Sequence, residues 1–363
     1  MPNLVVVIPT INEAGTIKAL IEGVEKHQAQ YSLHIIVVDD GSTDGTLETL
    51  ERLAEKHGNI TVIERERKLG FGSAIRDGLK AALQSDLPPD MIVTIDADLS
   101  HDPEQLPTLT GAYNPDTIVI GSRYVDSGEI HGWGPYRKLA SSGANFLVRV
   151  FTNIPARDCT SGYRCYGTEL VQAILPGLES TGYDIQIETL ENAVRRGHKI
   201  VEVPIKFTDR HTGESKLNRN QIWIFLRRII TIFMSSGEWR RILKFMSVGL
   251  SGVIVTEGLL WLFTDFYRVH YVISALLSIE IAILNNFIWN ETWTFKDRVQ
   301  GSGIYTIQRF LKFNISRVLG MMISVSLMTF FTEVYGIHYL ISNLSAVFIV
   351  FVINYLFSVS YIW

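Results

Sequence analysis

Two aspartates, Asp96 and Asp98, are the residues of this chain best suited to chemistry, and they directly follow a short apolar run at residues 91–95. Two carboxylates one residue apart on a turn can converge on one divalent cation, because hard cations prefer oxygen ligands. Such a cation stabilises the negative charge that develops on a diphosphate leaving group. An Asp-x-Asp pair is common in exposed loops, so its position at a strand end carries the prediction of a metal site.

Two further polar clusters follow apolar runs in the same way. Thr10, Asn12 and Glu13 follow residues 4–8, and Asp39 and Asp40 follow residues 33–38. These residue types also form turns and helix caps, which is the simpler interpretation of each cluster alone. The functional interpretation is that a carboxylate accepts hydrogen bonds from a nucleotide base or ribose. Three such clusters at successive strand ends favour a shared site.

The elements that would position these clusters alternate along the first half of the chain. Short apolar, β-branched runs predict strands at residues 4–8, 33–38, 60–63, 91–95 and 117–120, and helical periodicity predicts helices at 17–26, 46–57 and 73–83. This alternation predicts an α/β domain with a mainly parallel, Rossmann-like sheet. Ligands of such sheets bind beyond the carboxyl ends of the strands, where all three polar clusters fall.

Other features exclude classes of protein. Gly70 and Gly72 lack the full spacing of a dinucleotide-binding glycine motif, which argues against a nicotinamide enzyme. The net charge of -4 gives no reason to expect nucleic acid as a partner. The two cysteines, Cys159 and Cys165, form neither a disulfide framework nor a zinc motif, and we expect two free thiols.

The composition changes near Lys244, beyond which long apolar runs dominate. The runs cover residues 245–263, 271–289, 318–332 and 337–363, and we expect four membrane spans. The third run is short unless it begins upstream, near Phe310. Basic residues cluster before the first run and around the second and third, whereas the outer loops carry only Arg268. This bias predicts an integral membrane protein with its N-terminal domain and both termini in the cytoplasm.

Between the two parts, residues 221–233 have apolar side chains at helical spacing, with Arg227 and Arg228 on the opposite face. An interfacial amphipathic helix with its basic residues toward lipid headgroups fits this pattern. The alternative is an ordinary core helix. Within the spans, Glu257 and Glu280 either line a path for a lipid headgroup or form hydrogen bonds between helices, and we favour the second role.

The motifs together resemble a known family. Pro9-Thr10-Ile11-Asn12-Glu13, Val38 to Asp44 and Asp96 to His101 are similar to family 2 glycosyltransferases with a GT-A fold. Gly121 to Tyr124, Arg137-Lys138-Leu139, Ser161-Gly162-Tyr163 and Gly213 to Leu217 resemble dolichol-phosphate-mannose synthases, and residues 240–363 resemble the four-span GtrA domain. The resemblance implies a cytoplasmic GT-A domain at 1–217, an interfacial helix region at 218–240 and a GtrA-like transmembrane domain at 241–363.

The resemblance also implies roles for individual residues. The donor nucleotide would contact Pro9, Thr10, Asn12, Glu13, Val38, Asp40, Asp96, Ala97, Asp98, Arg210 and Lys216. Asp96 and Asp98 would hold Mg²⁺ or Mn²⁺; some relatives have a glutamine where this chain has Ser100, and either that hydroxyl or water would complete the coordination. The acceptor phosphate would bind Arg123, Arg137 and Ser141, although the two arginines also fit ordinary surface ion pairs. The residues of catalysis would be Asp96, Asp98, Arg123 and Arg137.

The resulting hypothesis is transfer of mannose from GDP-mannose to dolichyl or another polyprenyl phosphate, with inversion at the anomeric carbon. The acceptor phosphate is already ionised at neutral pH, so no general base is expected, and Glu188 in particular should not serve as one. Two alternatives remain. The donor could be UDP-glucose, or the membrane domain could translocate lipid-linked sugars that the soluble domain delivers.

Overall fold

The computed structural model describes residues 1–86, 88–152, 154–209 and 219–363, without the side chains of residues 219–222. The predicted donor contacts Arg210 and Lys216 lie outside the described residues. The chain divides into two compact units, Met1–Phe233 and Met234–Trp363. Each unit is described by itself.

In the first unit, every predicted strand and helix is present. The strands are β1 (Asn3–Thr10), β2 (Ser32–Asp39), β3 (Ile60–Glu64), β4 (Met91–Thr94) and β5 (Thr117–Ser122), and the helices are α1 (Ile17–Glu25), α2 (Thr46–His57) and α3 (Phe71–Leu83). Further elements are α4 (Leu106–Gly111), β6 (Glu129–His131), α5 (Pro135–Thr152), β7 (Arg164–Gly167), α6 (Thr168–Ile174), α7 (Ile185–Arg195), β8 (Lys199–Pro204) and β9 (Lys206–Thr208).

Seven strands form one sheet in the order β3-β2-β1-β4-β7-β5-β8, and only β7 runs antiparallel to its neighbours. Strands β6 and β9 form a separate parallel pair. Successive side chains of a strand point to opposite faces, so the central strands fill two cores. Val5 and Val7 pack with α3 on one face, and Leu4 and Val6 pack with α1 on the other. The predicted mainly parallel α/β fold is confirmed.

The two cysteines lie on opposite faces of this sheet. Cys159 belongs to one core and Cys165 to the other, and both thiols are free and buried. Burial raises the pKa of each thiol to about 12. Because the thiolate is the reactive form, both residues are chemically inert packing groups near neutral pH.

Helix α8 (Arg219–Ser236) begins in the first unit and ends three residues beyond its last residue, Phe233. Within the first unit, one face of the helix packs into the core. Ile229 and Ile232 are buried in the core of the first unit, and Phe233 packs edge-on against Phe151. Arg228 differs from the prediction, because it pairs with Asp184 and Glu188 rather than pointing away from the domain. The other face leaves Trp223 72% exposed, as an interfacial helix would, and that assignment stays a prediction.

The second unit is helical. After α8 it contains α9 (Glu238–Trp261), α10 (Tyr271–Trp289), α11 (Ile304–Tyr335) and α12 (Tyr339–Phe357). Four helical segments of the described chain are long and apolar enough to cross a membrane: Trp239–Phe266, Tyr271–Thr294, Ile304–Tyr335 and Tyr339–Ile362. The third starts upstream of Phe310, so it has the length that its apolar run alone lacked. The protein is therefore an integral membrane protein.

Candidate active site

The carboxyl ends of three adjacent strands form one cleft. Strands β2, β1 and β4 are neighbours in the sheet, so their following loops meet at one edge. The lining includes predicted site residues, namely Pro9, Thr10, Glu13, Asp40, Asp96, Ala97 and Asp98. Asn12 lies in the adjoining loop, and the side chain of Val38 is buried in the core, which leaves its backbone for any contact with a ligand.

Asp40 shapes one wall of this cleft. Its carboxylate accepts hydrogen bonds from the backbone N–H groups of Leu69 (2.7 Å) and Gly70 (2.9 Å) and from Nη1 of Arg65 (2.9 Å). Arg65 also pairs with Asp77. A buried carboxylate needs such partners to offset its loss of hydration. Asp40 thus fixes the loop that brings Lys68 and Gly70 to the cleft.

The first two polar clusters are joined by hydrogen bonds. Asn12 has a left-handed φ of 55°, its backbone N–H donates to Ser42 Oγ (2.8 Å), and its Oδ1 accepts from the backbone N–H of Thr43 (2.8 Å). The backbone N–H of Glu13 donates to Thr46 Oγ1 (2.9 Å). Asn12 thus forms the turn that joins the two clusters, and the same contacts hold Glu13 at the cleft; the contact of Asn12 with a nucleotide stays a prediction.

The Asp-x-Asp turn is locally organised by its own residues. Leu99 adopts a left-handed φ of 59°, which lets Ser100 fold back on Asp98. Oδ1 of Asp98 accepts hydrogen bonds from the backbone N–H (3.0 Å) and the hydroxyl (2.5 Å) of Ser100. Ser100 is only 2% exposed, so its clearest role in the structure is to orient Asp98.

Two residues beside Asp96 are absent from the predicted site. Nδ1 of the buried His101 lies 3.6 Å from Oδ2 of Asp96. A Cβ added at Gly162 would lie 2.8 Å from Oδ1 of Asp96, so a side chain there would displace the carboxylate. His101 ends the Asp96-to-His101 motif, which was the available sequence signal. Gly162 lies far along the chain, and local patterns could not relate it to Asp96.

The carboxylates fit a cation whose coordination is shared with a ligand. Asp96 and Asp98 both line the open cleft, and each offers the oxygen ligands that Mg²⁺ and Mn²⁺ prefer. Within the described ranges, no group of three or more His, Cys, Asp or Glu residues could enclose a metal ion. Because it offers only carboxylate oxygens and lies at the cleft, this pair suits an ion held jointly by protein, diphosphate and water.

The wall of the cleft contributed by Thr181, Gly182 and Tyr183 was not predicted. It packs directly on the glycine turn: the backbone N–H of Gly72 donates to the carbonyl of Thr181 (2.9 Å), and Phe71 stacks on Tyr183 with ring centroids 4.7 Å apart. A Cβ at Gly70 would lie 2.4 Å from the same carbonyl. Gly70 and Gly72 are thus required for close approach of this wall.

Glu188 stabilises this wall by binding the two residues that precede Thr181. Its carboxylate accepts hydrogen bonds from the backbone N–H groups of Glu179 (3.1 Å) and Ser180 (2.8 Å). Arg228 of α8 pairs with Glu188 (3.0 Å) and Asp184 (3.3 Å) and also donates to the hydroxyl of Ser180. Glu188 is 2% exposed and does not line the cleft.

Arg123 forms a buried ion pair. Its Nε and Nη2 each donate to the carboxylate of Asp158 at 2.7 Å, and Nη2 also donates to Thr160 Oγ1 at 2.7 Å. Burial alone would lower the pKa of Arg123, but the charge and hydrogen bonds of Asp158 outweigh it and raise that pKa. Burial alone would raise the pKa of Asp158, and Arg123 likewise reverses that effect and lowers it. The pair is charged at neutral pH.

Arg137 and Ser141 lie close to this pair. Nη1 of Arg137 donates to Asp209 at 2.8 Å, and the guanidinium groups of Arg137 and Arg123 lie 4.4 Å and 5.4 Å from the ring centroid of Trp133. Asn145 connects Ser141 to Thr160, donating to the Ser141 carbonyl (3.1 Å) and to Thr160 Oγ1 (3.3 Å). The structure thus brings all three predicted acceptor contacts together. Both arginines are ion-paired, so their binding of a phosphate stays a prediction.

Comparison with known proteins defines the class. Residues 5–175 match the model of the family described as glycosyl transferase family 2, and residues 244–363 match that described as GtrA/DPMS, transmembrane domain. A Pyrococcus furiosus protein named dolichol-phosphate mannosyltransferase is 37% identical over 363 residues, which cover 99% of this chain and 98% of the relative. The chain therefore belongs to the family of dolichol-phosphate mannosyltransferases that join a family 2 glycosyltransferase domain to a GtrA/DPMS membrane domain.

Other relatives match part of the chain. The polyprenol monophosphomannose synthase of Mycolicibacterium smegmatis is 38% identical over 221 residues, which cover 60% of this chain and 82% of the relative. The undecaprenyl-phosphate mannosyltransferase of Micrococcus luteus is 36% identical over 213 residues, 58% and 86% of the two chains. Among solved structures, the glucosyl-3-phosphoglycerate synthase of Mycobacterium tuberculosis has a TM-score of 0.47 and 22% identity, covering 64% of this chain and 79% of that one.

Proposed function

We propose that this chain transfers mannose from GDP-mannose to dolichyl phosphate or another polyprenyl phosphate, forming the lipid-linked sugar with inversion. One observation carries the proposal: the Asp96 and Asp98 carboxylates line the same cleft as Thr10, Glu13 and Asp40. A cleft of this kind offers ligands for a cation and for a nucleotide side by side. The names of the three relatives support mannose as the sugar and a polyprenyl phosphate as its acceptor.

In the proposed mechanism, the acceptor phosphate attacks the anomeric carbon while the nucleoside diphosphate leaves from the opposite side. The second pKa of a phosphate monoester is about 6, so the nucleophile is ionised without a base. The position of Glu188 agrees with a mechanism that needs no general base. Its carboxylate is buried, accepts the backbone N–H of Ser180 and pairs with Arg228. The protein contributes positioning and charge stabilisation.

A bound Mg²⁺ or Mn²⁺ would supply positive charge at the donor diphosphate. Asp96 and Asp98 would hold it, with Ser100 keeping Asp98 in position through its two hydrogen bonds. Arg123, Arg137 and Ser141 would bind the acceptor phosphate, Arg137 by exchanging Asp209 for the lipid phosphate. Guanidinium groups suit this exchange because carboxylate and phosphate bind them in the same bidentate manner.

We propose that the first unit and both termini lie on the cytoplasmic side. The support is the concentration of Lys and Arg around Arg240 to Lys244 and Lys296 to Lys312, against the single Arg268 in the two outer loops. Single cysteines introduced at Ser302 and Arg268 test this in sealed vesicles of known orientation. The buried native thiols should not compete. Labelling of both sites from one side by an impermeant maleimide would refute the proposed topology.

The test of activity is transfer of radiolabelled sugar to dolichyl phosphate by the full-length protein in detergent with Mn²⁺. We expect label in lipid from GDP-mannose and none from the Asp98→Ala variant. Label from UDP-glucose alone would retain the site and replace the donor. No label from either donor would reject the synthase proposal and favour translocation of a lipid-linked sugar by the membrane unit.

A further inference from the structure

The membrane unit contains two copies of one sequence pattern. Residues 241–295 and 309–363 correspond at a constant offset of 68 positions, most visibly as His-Tyr-x-Ile-Ser at 270–274 and 338–342. Identical pairs include Arg241/Arg309, Lys244/Lys312, Phe245/Phe313, Gly252/Gly320, Thr264/Thr332, His270/His338, Ser274/Ser342 and Asn286/Asn354. The pattern predicts a tandem repeat of one helical hairpin.

The structure repeats with the same offset. Helix α10 and helix α12 start and end at equivalent positions, and each continues into a π-helical turn, Asn290–Thr294 and Ser358–Ile362. Equivalent histidines cap both helices: Nδ1 of His270 accepts from the backbone N–H of Val272 and Nδ1 of His338 from that of Leu340, each at 3.4 Å.

Contacts between the copies are reciprocal. Phe245 packs on Tyr355 with ring centroids 5.4 Å apart, and the equivalent pair, Phe313 and Phe287, lies at 5.8 Å. The equivalent residues Phe295 and Trp363 stack on each other at 4.5 Å. Two copies related by a two-fold axis make reciprocal contacts of this kind. Equivalent residues can contact each other only next to the axis, which places Phe295 and Trp363 there. The membrane unit therefore has an internal pseudo-two-fold symmetry.

Because each copy has two spans, both copies cross the membrane in the same direction, and their basic ends face the same side. Each end carries the same clamp of a lysine on an aromatic residue. Lys244 Nζ lies 3.4 Å from the carbonyl of Trp293 and 5.3 Å from its ring centroid. Lys312 Nζ lies 3.4 Å from the carbonyl of Tyr361 and 4.3 Å from its ring centroid.

The two basic ends differ in their free charge. In the second copy Arg309 is 8% exposed and enclosed by Glu291 and the carbonyls of Gln300 and Gly301, and position 308 is an uncharged glutamine. In the first copy Arg241 pairs with both Glu238 and Asp297, and Arg298 also lies 3.8 Å from Glu238. Within the chain that the structure describes, Arg240, Lys244 and Lys296 make no ion pair with a carboxylate.

These three cations line a cavity of about 740 Å³ at the end of the first copy, together with Trp293, Arg241 and the two carboxylates paired with Arg241. We propose that this cavity, the basic mouth, binds the phosphate group of an anionic membrane lipid. It lies where the spans end, where lysine, arginine and tryptophan meet lipid headgroups. The second copy keeps the shared lysine contact and has Gln308 where the first copy has Arg240, so it serves as an internal control.

The test is equilibrium binding of radiolabelled phosphatidylglycerol to the purified full-length protein in detergent, with the melting temperature as a check of folding. The double variant R240Q/K296Q changes two exposed side chains and should weaken binding about 25-fold, since each basic residue at an anionic headgroup contributes about fivefold. The matched variant K312Q, in the second copy, should change binding less than about twofold. If the double variant does not fold, each single substitution should weaken binding about fivefold.

Two further arms identify the ligand. Diacylglycerol, which has no phosphate, should not compete with phosphatidylglycerol, and inorganic phosphate should compete only at far higher concentration than the lipid. Unchanged binding by folded R240Q/K296Q, or an equal loss in K312Q, would overturn the basic mouth as the site. Inorganic phosphate binding as tightly as the lipid would overturn the lipid assignment. Sugar transfer does not enter these measurements, so their outcome is independent of the proposed activity.

Discussion

Arg228 and Glu188 connect helix α8 to the wall of the donor cleft, with Nη2 of the arginine 3.0 Å from Oε1 of the glutamate. Glu188 in turn accepts the backbone N–H of Ser180, the residue that precedes the Thr181 to Tyr183 wall. The helix next to the membrane unit in sequence thus holds a wall of the cleft through one ion pair. Arg228 is a positioning residue in this arrangement, because it does not itself line the cleft.

We expect Arg228→Gln to raise the KM for the nucleotide-sugar donor about tenfold while kcat changes less, because a displaced wall weakens binding before it alters the reacting groups. Removing one partner of a buried pair also costs about 3–5 kcal/mol of stability, so the melting temperature should fall. Steady-state kinetics with both substrates measure the split. Arg227→Gln is the matched control, since Arg227 is exposed beside Arg228. Equal kinetic effects of the two substitutions would contradict the positioning role.

Glu188→Gln should leave the pH dependence of kcat/KM unchanged. The acidic limb should remain near the second pKa of the acceptor phosphate, about 6, because the phosphate itself is the nucleophile. The amide can no longer pair with Arg228, so a raised donor KM is expected. The pH profile of kcat/KM for the lipid acceptor, measured at saturating donor, decides the point. A hundredfold fall in kcat with an intact melting temperature would identify Glu188 as a proton acceptor and contradict the proposed mechanism.

Asp98→Asn should lower kcat by about a thousandfold or more, since charge stabilisation at a leaving diphosphate is worth several kcal/mol. The measurement is sugar transfer against Mn²⁺ concentration. Asp102→Asn is the control: Oδ1 of Asp102 accepts the backbone N–H of Glu104 at 2.9 Å, and asparagine caps equally well. Full activity in Asp98→Asn at any Mn²⁺ concentration would remove this residue from the cation site.

Arg137→Gln should raise the KM for the polyprenyl phosphate about tenfold and leave the KM for the donor nearly unchanged, because a charge-assisted contact to phosphate contributes roughly 1.5–3 kcal/mol. Kinetics with varied lipid acceptor measure the effect. Arg149 lies on the same helix α5, is exposed, and its guanidinium carbon lies 5.9 Å from the ring centroid of Phe146. Arg149→Gln should therefore behave as wild type, and a loss of donor rather than acceptor affinity in Arg137→Gln would refute the assignment.

The Arg123–Asp158 pair should make stability depend on acid pH. The pKa of Asp158 is lowered in the folded protein, so the pair stabilises fully above the usual aspartate pKa, about 3.9. As the pH falls below that value, the unfolded chain takes up a proton that the folded chain refuses, and this stabilisation is lost. Asp158→Asn should lower the melting temperature at pH 7 and flatten its decline below pH ~4. A parallel pH dependence in both proteins would contradict this linkage.

Local patterns in the sequence were sufficient for the elements of the first unit. The alternation of β-branched runs with helical periodicity located β1 to β5 and α1 to α3, because burial on both faces of a strand and on one face of a helix leaves a periodic signal. The same reasoning located Thr10, Asp40, Asp96 and Asp98, since parallel strands bring their carboxyl ends to one edge. The four spans followed from apolar length.

Contacts between distant segments were beyond such patterns. The antiparallel strand β7, the Thr181 to Tyr183 wall, Gly162 against Asp96 and Arg228 beneath Ser180 all depend on which segments meet after folding. Arg228 shows the reason most clearly. The periodicity around it indicated an amphipathic helix. Periodicity shows only on which side of the helix a residue lies, and what that side contacts depends on how the chain packs. The sequence by itself determined the strand-end chemistry and the membrane character of this protein; its tertiary structure decided which side chains enclose the site.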